Sequence, residues 1–290
     1  MNQSINTPEP TLTLAQALQT LQARGLARLD AQLLLLYVLG QAPTQRGWLL
    51  AHDLDALAPA DADRLEALAQ RRLAGEPLAY LTGYKAFHRL ELQVNAAVLV
   101  PRPDTETLVE WALQVLQPLP EAPLATVLDL GTGSGAIALA IKASAPTRQV
   151  WATDLSAAAL AVAQANAQRL KLALQLHQGG WFAALPANAP RFDCIVSNPP
   201  YIAEHDPHLA ALRFEPQQAL TSGPHGLDDL RHLIAHAPAH LKAGGWLLLE
   251  HGFDQAPSVQ QLLRQRGFVA LQSRHDLAAM ARCSGGQWPG

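Results

Sequence analysis

Thr126-Val127-Leu128-Asp129-Leu130-Gly131-Thr132-Gly133-Ser134-Gly135 joins a short apolar run to three glycines at alternate positions. The run predicts a buried strand. The glycines permit a tight turn in which a ligand can come close to the backbone before a helix begins. A nucleotide-like cofactor is the partner implied. Apolar runs then alternate with helical stretches: Gln149 to Thr153, Leu174 to His177, Phe192 to Ser197, Trp246 to Glu250 and Phe268 to Gln272. This alternation predicts a parallel, doubly wound α/β sheet with its ligands at the carboxyl ends of the strands. Asp154 ends the second run, where a carboxylate can accept two hydrogen bonds from a ribose diol. The loop alone leaves alternatives open. Gly131, Gly133 and Ala136 also satisfy the loose dinucleotide pattern of a nicotinamide dehydrogenase, and an ordinary strand-to-helix turn carries the same glycines.

The fourth run, Phe192-Asp193-Cys194-Ile195-Val196-Ser197, leads directly into Asn198-Pro199-Pro200-Tyr201, which has no use in a dehydrogenase. Two prolines fix φ and remove backbone donors, so the loop is stiff and offers carbonyl acceptors. The Asn198 side-chain oxygen joins them. A substrate NH2 group can give one proton to Asn198 and one to the Pro199 carbonyl, leaving the nitrogen's free face toward a methyl donor, while Tyr201 covers the planar group. A proline-punctuated turn is the bland alternative.

Upstream, Leu14, Ala17, Leu18 and Leu21 repeat at helical spacing behind a possible capping box of Thr13 and Gln16. Further helices are predicted over Arg28 to Leu39, with Gly40 as a stop and Pro43 as a restart, and over Asp61 to Ala74. The pattern then changes to alternation. Leu90, Leu92 and Val94 predict one strand, Asn95 a turn, and Val98 with Val100 the return strand of a hairpin. The predicted organisation is a helical bundle over residues 1–83, a linking hairpin over 84–100 and a Rossmann-like catalytic domain over 101–290.

Two domains suit a chain of 290 residues. With 49% hydrophobic and 16% charged residues and a net charge of −3, the chain has a globular balance and no broad basic face for nucleic acid. Its first ten residues are polar and Pro-containing. The apolar run Leu33 to Leu39 falls short of the roughly 20 residues a membrane helix needs, so a cytoplasmic protein without a membrane partner is expected. Of two cysteines, Cys194 sits in an apolar run as a reduced, buried thiol, and no disulfide framework or cysteine zinc site follows.

The chain resembles the PrmC/HemK family, which methylates the side-chain nitrogen of glutamine in peptide chain release factors. The resemblance runs over nearly the whole sequence. It is carried by Val100 to Glu106, Asp129 to Ala138, Asn198 to Ile202, Arg213-Phe214-Glu215-Pro216 and Leu248-Leu249-Glu250-His251-Gly252. It implies a helical N-terminal domain joined by a hairpin to an S-adenosyl-L-methionine-dependent methyltransferase domain, with S-adenosyl-L-homocysteine as product. By the same resemblance Gly131, Thr132, Gly133, Ser134, Gly135, Asp154, Trp181 and Asn198 bind the cofactor. Asn198, Pro199, Pro200 and Tyr201 hold the glutamine (N5) of a Gly-Gly-Gln loop in class-1 release factors, with Arg102 to Glu106 close by. A monomer with no metal and no stable nucleic-acid partner is expected. Two departures stand out: Gly180 replaces the acidic residue that relatives carry before their Trp-Phe pair, and the Arg-containing C-terminal strand is blurred into Ala281 to Trp288.

His232, His236 and His240 share one helical face at four-residue spacing, as metal ligands can, but Pro238 interrupts that helix. Arg71-Arg72 and Arg264 with Arg266 read as solvated faces. Two rival functions remain: a nucleic-acid base methyltransferase, because an exocyclic adenine amine presents similar NH2 geometry, and a non-catalytic cofactor-binding protein that docks on ribosomal factors.

Overall fold

The Thr13 hydroxyl accepts from the Gln16 N–H at 3.2 Å while the Gln16 side chain accepts from the Thr13 N–H at 2.9 Å, and this reciprocal cap starts the first helix. The computed structural model describes residues 12–117, 119 and 124–290; the polar opening residues lie outside them. The chain separates between Gly83 and Tyr84 into two compact units.

The first unit is helical: α1 (Leu14–Ala23), α2 (Arg28–Val38), α3 (Arg46–Ala51), α4 (Pro59–Leu73) and α5 (Leu78–Thr82). Its core brings Leu14, Ala17 and Leu21 against Leu34, Leu35, Leu65, Leu68 and Leu81. Arg72 of α4 donates to Asp30 of α2 at 2.8 Å.

The second unit contains β1 (Tyr84–Phe87), β2 (Leu90–Gln93), α6 (Glu106–Leu116), β3 (Thr126–Leu130), α7 (Ala136–Ser144), β4 (Gln149–Asp154), α8 (Ala157–Leu170) and β5 (Gln175–Gln178). It continues with β6 (Phe192–Ser197), α9 (Asp228–His236), β7 (Leu241–Glu250), α10 (Ala256–Arg266), β8 (Val269–His275) and β9 (Ala281–Gln287). The large sheet has the order β5-β4-β3-β6-β7-β9-β8. Its first five strands are parallel and β9 is antiparallel to both neighbours. Leu128, Ile195, Leu247 and Leu249 pack on one side with Leu233 and Leu263; Val127, Val196 and Leu248 pack on the other with Leu108 and Ile137. Burial on both faces is why these strands read as unbroken apolar runs.

Register positions the site. Leu130 lies opposite Thr153 on one side and Ser197 on the other, and Ser197 lies opposite Leu249. Adjacent strands are about 4.8 Å apart, so the loops after β3, β4, β6 and β7 leave the sheet side by side. They begin at Gly131, Leu155, Asn198 and His251.

Two local expectations are corrected. The hairpin pairs β1 with β2 and turns at His88 and Arg89, not at Asn95. Val98 and Val100 form no return strand, because the Val100 N–H donates to the buried Glu215 carboxylate at 3.0 Å and the Val98 N–H turns back to Asn95. The sheet is also not wholly parallel, since residues 281–287 form the strand β9 between β7 and β8. Its glycines hid it. A Cβ on Gly285 would lie 2.5 Å from the Leu247 carbonyl oxygen and 3.0 Å from the Trp111 ring, so glycine is required by close approach although it is depleted in ordinary strands. Cys194 and Cys283 are free and buried.

Candidate active site

Gly131, Gly133 and Gly135 all have left-handed φ, at +73°, +56° and +83°. A Cβ on Gly131 would lie 3.1 Å from the Trp181 ring, and one on Gly135 would lie 3.0 Å from Leu139. Substitution there is both strained and crowded. The loop's backbone donors are largely used within the fold: Gly131 and Thr132 both donate to the Thr153 carbonyl, Gly133 to Asp154 Oδ2 at 2.8 Å, and Gly135 to Thr132. A pyrophosphate needs such N–H groups free at a helix start, so this loop suits a nucleoside without phosphates better than a dinucleotide. Asp154 also accepts from the Ser156 N–H through Oδ1 at 2.9 Å. Each carboxylate oxygen has a second acceptor site, and Asp154 lines the cleft.

Beneath the loop, Asp129 is fully buried. Its Oδ2 accepts from the Thr132 hydroxyl at 2.6 Å and the Ala138 N–H at 3.2 Å, while Oδ1 has no partner among the described residues. Burial pushes this carboxyl from 3.8 up to about 7, against the two donors that favour its charged form. A carboxyl with a raised folded-state pKa stabilises the fold below its unfolded pKa, and that contribution disappears as pH rises through the folded value. The rise corresponds to about 4 kcal/mol. Between about pH 4 and 7 the native protein is therefore expected to lose stability relative to Asp129→Asn by up to that amount. Urea unfolding of both proteins across this window checks it, and parallel stability curves would contradict it.

At the end of β6, the Asn198 Nδ2 donates to the Thr105 hydroxyl at 3.3 Å, which leaves Oδ1 as the acceptor end of the amide. Pro199 is buried and Pro200 is half-buried. The Tyr201 hydroxyl donates to Glu250 Oε1 at 3.4 Å and its carbonyl accepts from Gln255 at 3.0 Å. Burial raises the Tyr201 pKa and pushes the Glu250 carboxyl up to about 7.

A cavity of about 220 Å³ gathers Gly131, Thr132, Gly133, Ser134, Asp154, Trp181, Asn198 and Pro200. Gly135, Pro199 and Tyr201 are not among its lining residues: Gly135 caps α7, Pro199 is covered, and the Tyr201 hydroxyl reaches Glu250. The Thr132 hydroxyl is committed to Asp129. Gly180 lies open at the cleft with nothing within 4 Å of a Cβ. Asp229, also lining the cleft, accepts from the Trp181 indole N–H at 3.2 Å and places a carboxylate on this side.

The resemblance places Thr105 near the site, within Arg102 to Glu106, but gives it no role, and no role is read from the sequence for Glu215, Asp229 or Glu250. Arg102 pairs with the buried Glu215, which also holds Val100, so two separate stretches of the chain become one wall. Asp104 lies 3.5 Å from Arg282, and Glu106 accepts from the His88 N–H at 2.9 Å. Glu250 falls in the Leu248 to Gly252 stretch of the resemblance, and its position at a strand's carboxyl end is the further signal that singles it out. The histidine series does not converge. His232 and His236 face each other at 4.2 Å between ring centres, but His240 stacks on Phe182. No group of three or more His, Cys, Asp or Glu among the described residues is arranged to hold a metal.

Residues 112–270 match the Methyltransferase small domain and residues 13–83 match the PrmC N-terminal domain. The "Release factor glutamine methyltransferase" of Bordetella pertussis is 52% identical over 264 residues, covering 90% of this chain and 95% of that protein. The protein of the same name from Xylella fastidiosa (strain Temecula1) is 49% identical, covering 98% and 99%. The chain belongs to the release factor glutamine methyltransferase family. Solved structures support the fold. A methyltransferase from Pyrococcus furiosus superposes with a TM-score of 0.52 at 18% identity, covering 76% of this chain and 97% of that one. The N-terminal domain of human METTL16 in complex with SAH does so with 0.53 at 16%, covering 88% and 94%. The small-domain match spans the glycine loop, Asp154, Asn198 and Glu250. Among the described residues no helix is long and apolar enough to cross a membrane.

Proposed function

We propose that this family member methylates the side-chain amide nitrogen of the glutamine in the Gly-Gly-Gln loop of class-1 release factors, using S-adenosyl-L-methionine and releasing S-adenosyl-L-homocysteine. The observation that carries the reading is the tethered Asn198 amide, whose Oδ1 is left as an acceptor in the same cleft as Gly131, Asp154 and Trp181. The residues present fit the cofactor: Asp154 keeps acceptor capacity for a ribose diol, and Gly131 leaves room against the Trp181 ring that a side chain would take. When bound, the cofactor would supply a sulfonium methyl group to the amide nitrogen, leaving as the neutral thioether, and the nitrogen would lose one proton to solvent.

An amide nitrogen is a poor nucleophile, so this chain's contribution is positioning and charge stabilisation. Asn198, which lines the cleft, accepts a hydrogen bond from the substrate amide N–H through Oδ1. This bond strengthens as positive charge develops on nitrogen, which lowers the barrier more than it tightens ground-state binding. The helical unit, residues 1–83, serves as a docking surface for the folded substrate. A small amide makes few contacts of its own, and remote binding is needed to hold it in line.

Methyl transfer measured in parallel on purified release factor, a Gly-Gly-Gln peptide, tRNA and DNA tests the reading. The folded factor is expected to be methylated far faster than the peptide, with little transfer to either nucleic acid. Removing residues 1–83 should cost the protein substrate more kcat/KM than the peptide, once the shortened enzyme is shown to fold and bind cofactor. Preference for a nucleic acid would reject the substrate class, and equal losses on both substrates would reject the docking role.

A further inference from the structure

We propose that Thr105 and Glu250 are positioning residues that set the direction of a hydrogen-bond chain, turning the oxygen of Asn198 rather than its NH2 toward the substrate nitrogen. This rests on the function proposed above. An asparagine amide presents an acceptor at one end and donors at the other, and the two are nearly identical in shape. Facing a substrate NH2, the wrong end places donor against donor. Something must select the right one.

The selection begins at Thr105, which is 4% exposed and accepts from Asn198 Nδ2 at 3.3 Å. Having accepted that bond, its hydroxyl must give its own proton elsewhere. The Glu250 carboxyl, 1% exposed at the end of β7, is close enough to Thr105 for the hydroxyl to favour its charged form, and its Oε2 has no hydrogen-bond partner among the described residues. The other oxygen, Oε1, accepts from the Tyr201 hydroxyl. Thr105 and Tyr201 both favour the charged form of this carboxyl; once ionised it accepts only, and both hydroxyls then point toward it. The order is then Asn198 N–H to Thr105 O–H to Glu250, and Asn198 Oδ1 is left for the cleft.

Both ends of the Asn198–Tyr201 segment therefore rest on one buried carboxylate. Its surroundings are mixed. Burial disfavours its charge and Asp104 adds to this, while Thr105, Arg282 and Tyr201 favour it. Arg282 is held in place by Asp276 at 3.1 Å and lies 3.5 Å from Asp104. A donor in place of the carboxylate would reverse the order: Thr105 would accept from it and donate to Asn198 Oδ1, and the amide NH2 would swing into the cleft. Such coupling is expected where each member of a buried network has a defined partner.

The test uses full-length enzyme on a release factor, comparing Thr105→Val, Thr105→Ser and Glu250→Gln with the native protein. Thr105→Val keeps the side-chain shape and removes the hydroxyl. Its kcat is expected to fall at least about tenfold, within the roughly hundredfold that misplacement at a reacting centre costs, while the Kd for S-adenosyl-L-methionine and the unfolding midpoint stay near native. Thr105→Ser should restore most of the turnover, and Glu250→Gln should lower kcat like Thr105→Val. The Asn198 side-chain amide protons, followed by NMR in 15N-asparagine-labelled enzyme, should exchange more slowly in the native protein than in Thr105→Val, a readout that needs no substrate. Undiminished kcat in Thr105→Val, losses that track cofactor affinity or stability instead, or unchanged amide exchange would overturn the positioning role. A native enzyme that leaves the release factor unmethylated would overturn the proposed function instead, and amide exchange would still decide the hydrogen-bond chain. If Thr105→Val does not fold, Glu250→Gln carries the kinetic comparison and the same exchange measurement.

Discussion

Replacing Asn198 with alanine is expected to reduce turnover on a release factor by about two orders of magnitude or more. Removing one preorganised polar group from a reacting centre costs roughly 2.7–4 kcal/mol of barrier height, and Asn198 is the cleft-lining side chain of its tetrapeptide that can accept a hydrogen bond from the substrate. The loss should appear in kcat more than in KM, because the bond strengthens as the nitrogen becomes positive. Folding should survive. Asn198 is only half-buried and its side chain is tied to Thr105, while the prolines and the Tyr201 carbonyl bond to Gln255 keep the loop in shape. Steady-state kinetics beside an unfolding scan separate the two effects, and near-native turnover in a folded variant would refute the assignment.

Asp154→Ala should weaken S-adenosyl-L-methionine binding at least about tenfold, since each hydrogen bond to a charged acceptor contributes roughly 1.5–3 kcal/mol and two ribose bonds are lost. The structure adds a second reason. The same carboxylate holds the Gly133 and Ser156 N–H groups at 2.8 and 2.9 Å, so the alanine variant also loosens the glycine loop on its ligand-facing side. Asp154→Asn keeps one acceptor oxygen and should fall between the native protein and alanine. Calorimetric titration with the cofactor checks the series. Unchanged affinity in Asp154→Ala would remove Asp154 from the cofactor site.

These two residues could be picked out before any fold was known, and the reason is local. Gly131 to Gly135 declare a turn through backbone freedom, Asp154 closes a six-residue strand, and Asn198 to Tyr201 are stiffened by their own prolines; each property belongs to a few consecutive residues. The apolar runs likewise carried the parallel core of the sheet, because strands covered on both faces need no outside information to read as strands. The helical bundle was legible for the same reason, through leucines at helical spacing and the Thr13 cap.

Other features depended on residues far apart in the chain. Val98 and Val100 have the alternation of a strand, yet a carboxylate 115 residues beyond Val100 takes its N–H and leaves the segment irregular. Residues 281–287 look like a glycine-rich tail and become β9, because Gly285 is where the Leu247 backbone and the Trp111 ring come closest. Thr105 and Glu250 are unremarkable by type. They acquire a role only when β7 aligns beside β6 and burial removes the water that would otherwise satisfy them. The sequence by itself determined the parallel strands, the glycine loop and the stiff Asn198–Tyr201 tetrapeptide, since these follow from backbone dihedrals and periodicity. Tertiary structure alone decided the hairpin's pairing, the antiparallel end of the sheet and the buried acceptors beneath Asn198, since these follow from close approach and desolvation between segments that the chain keeps apart.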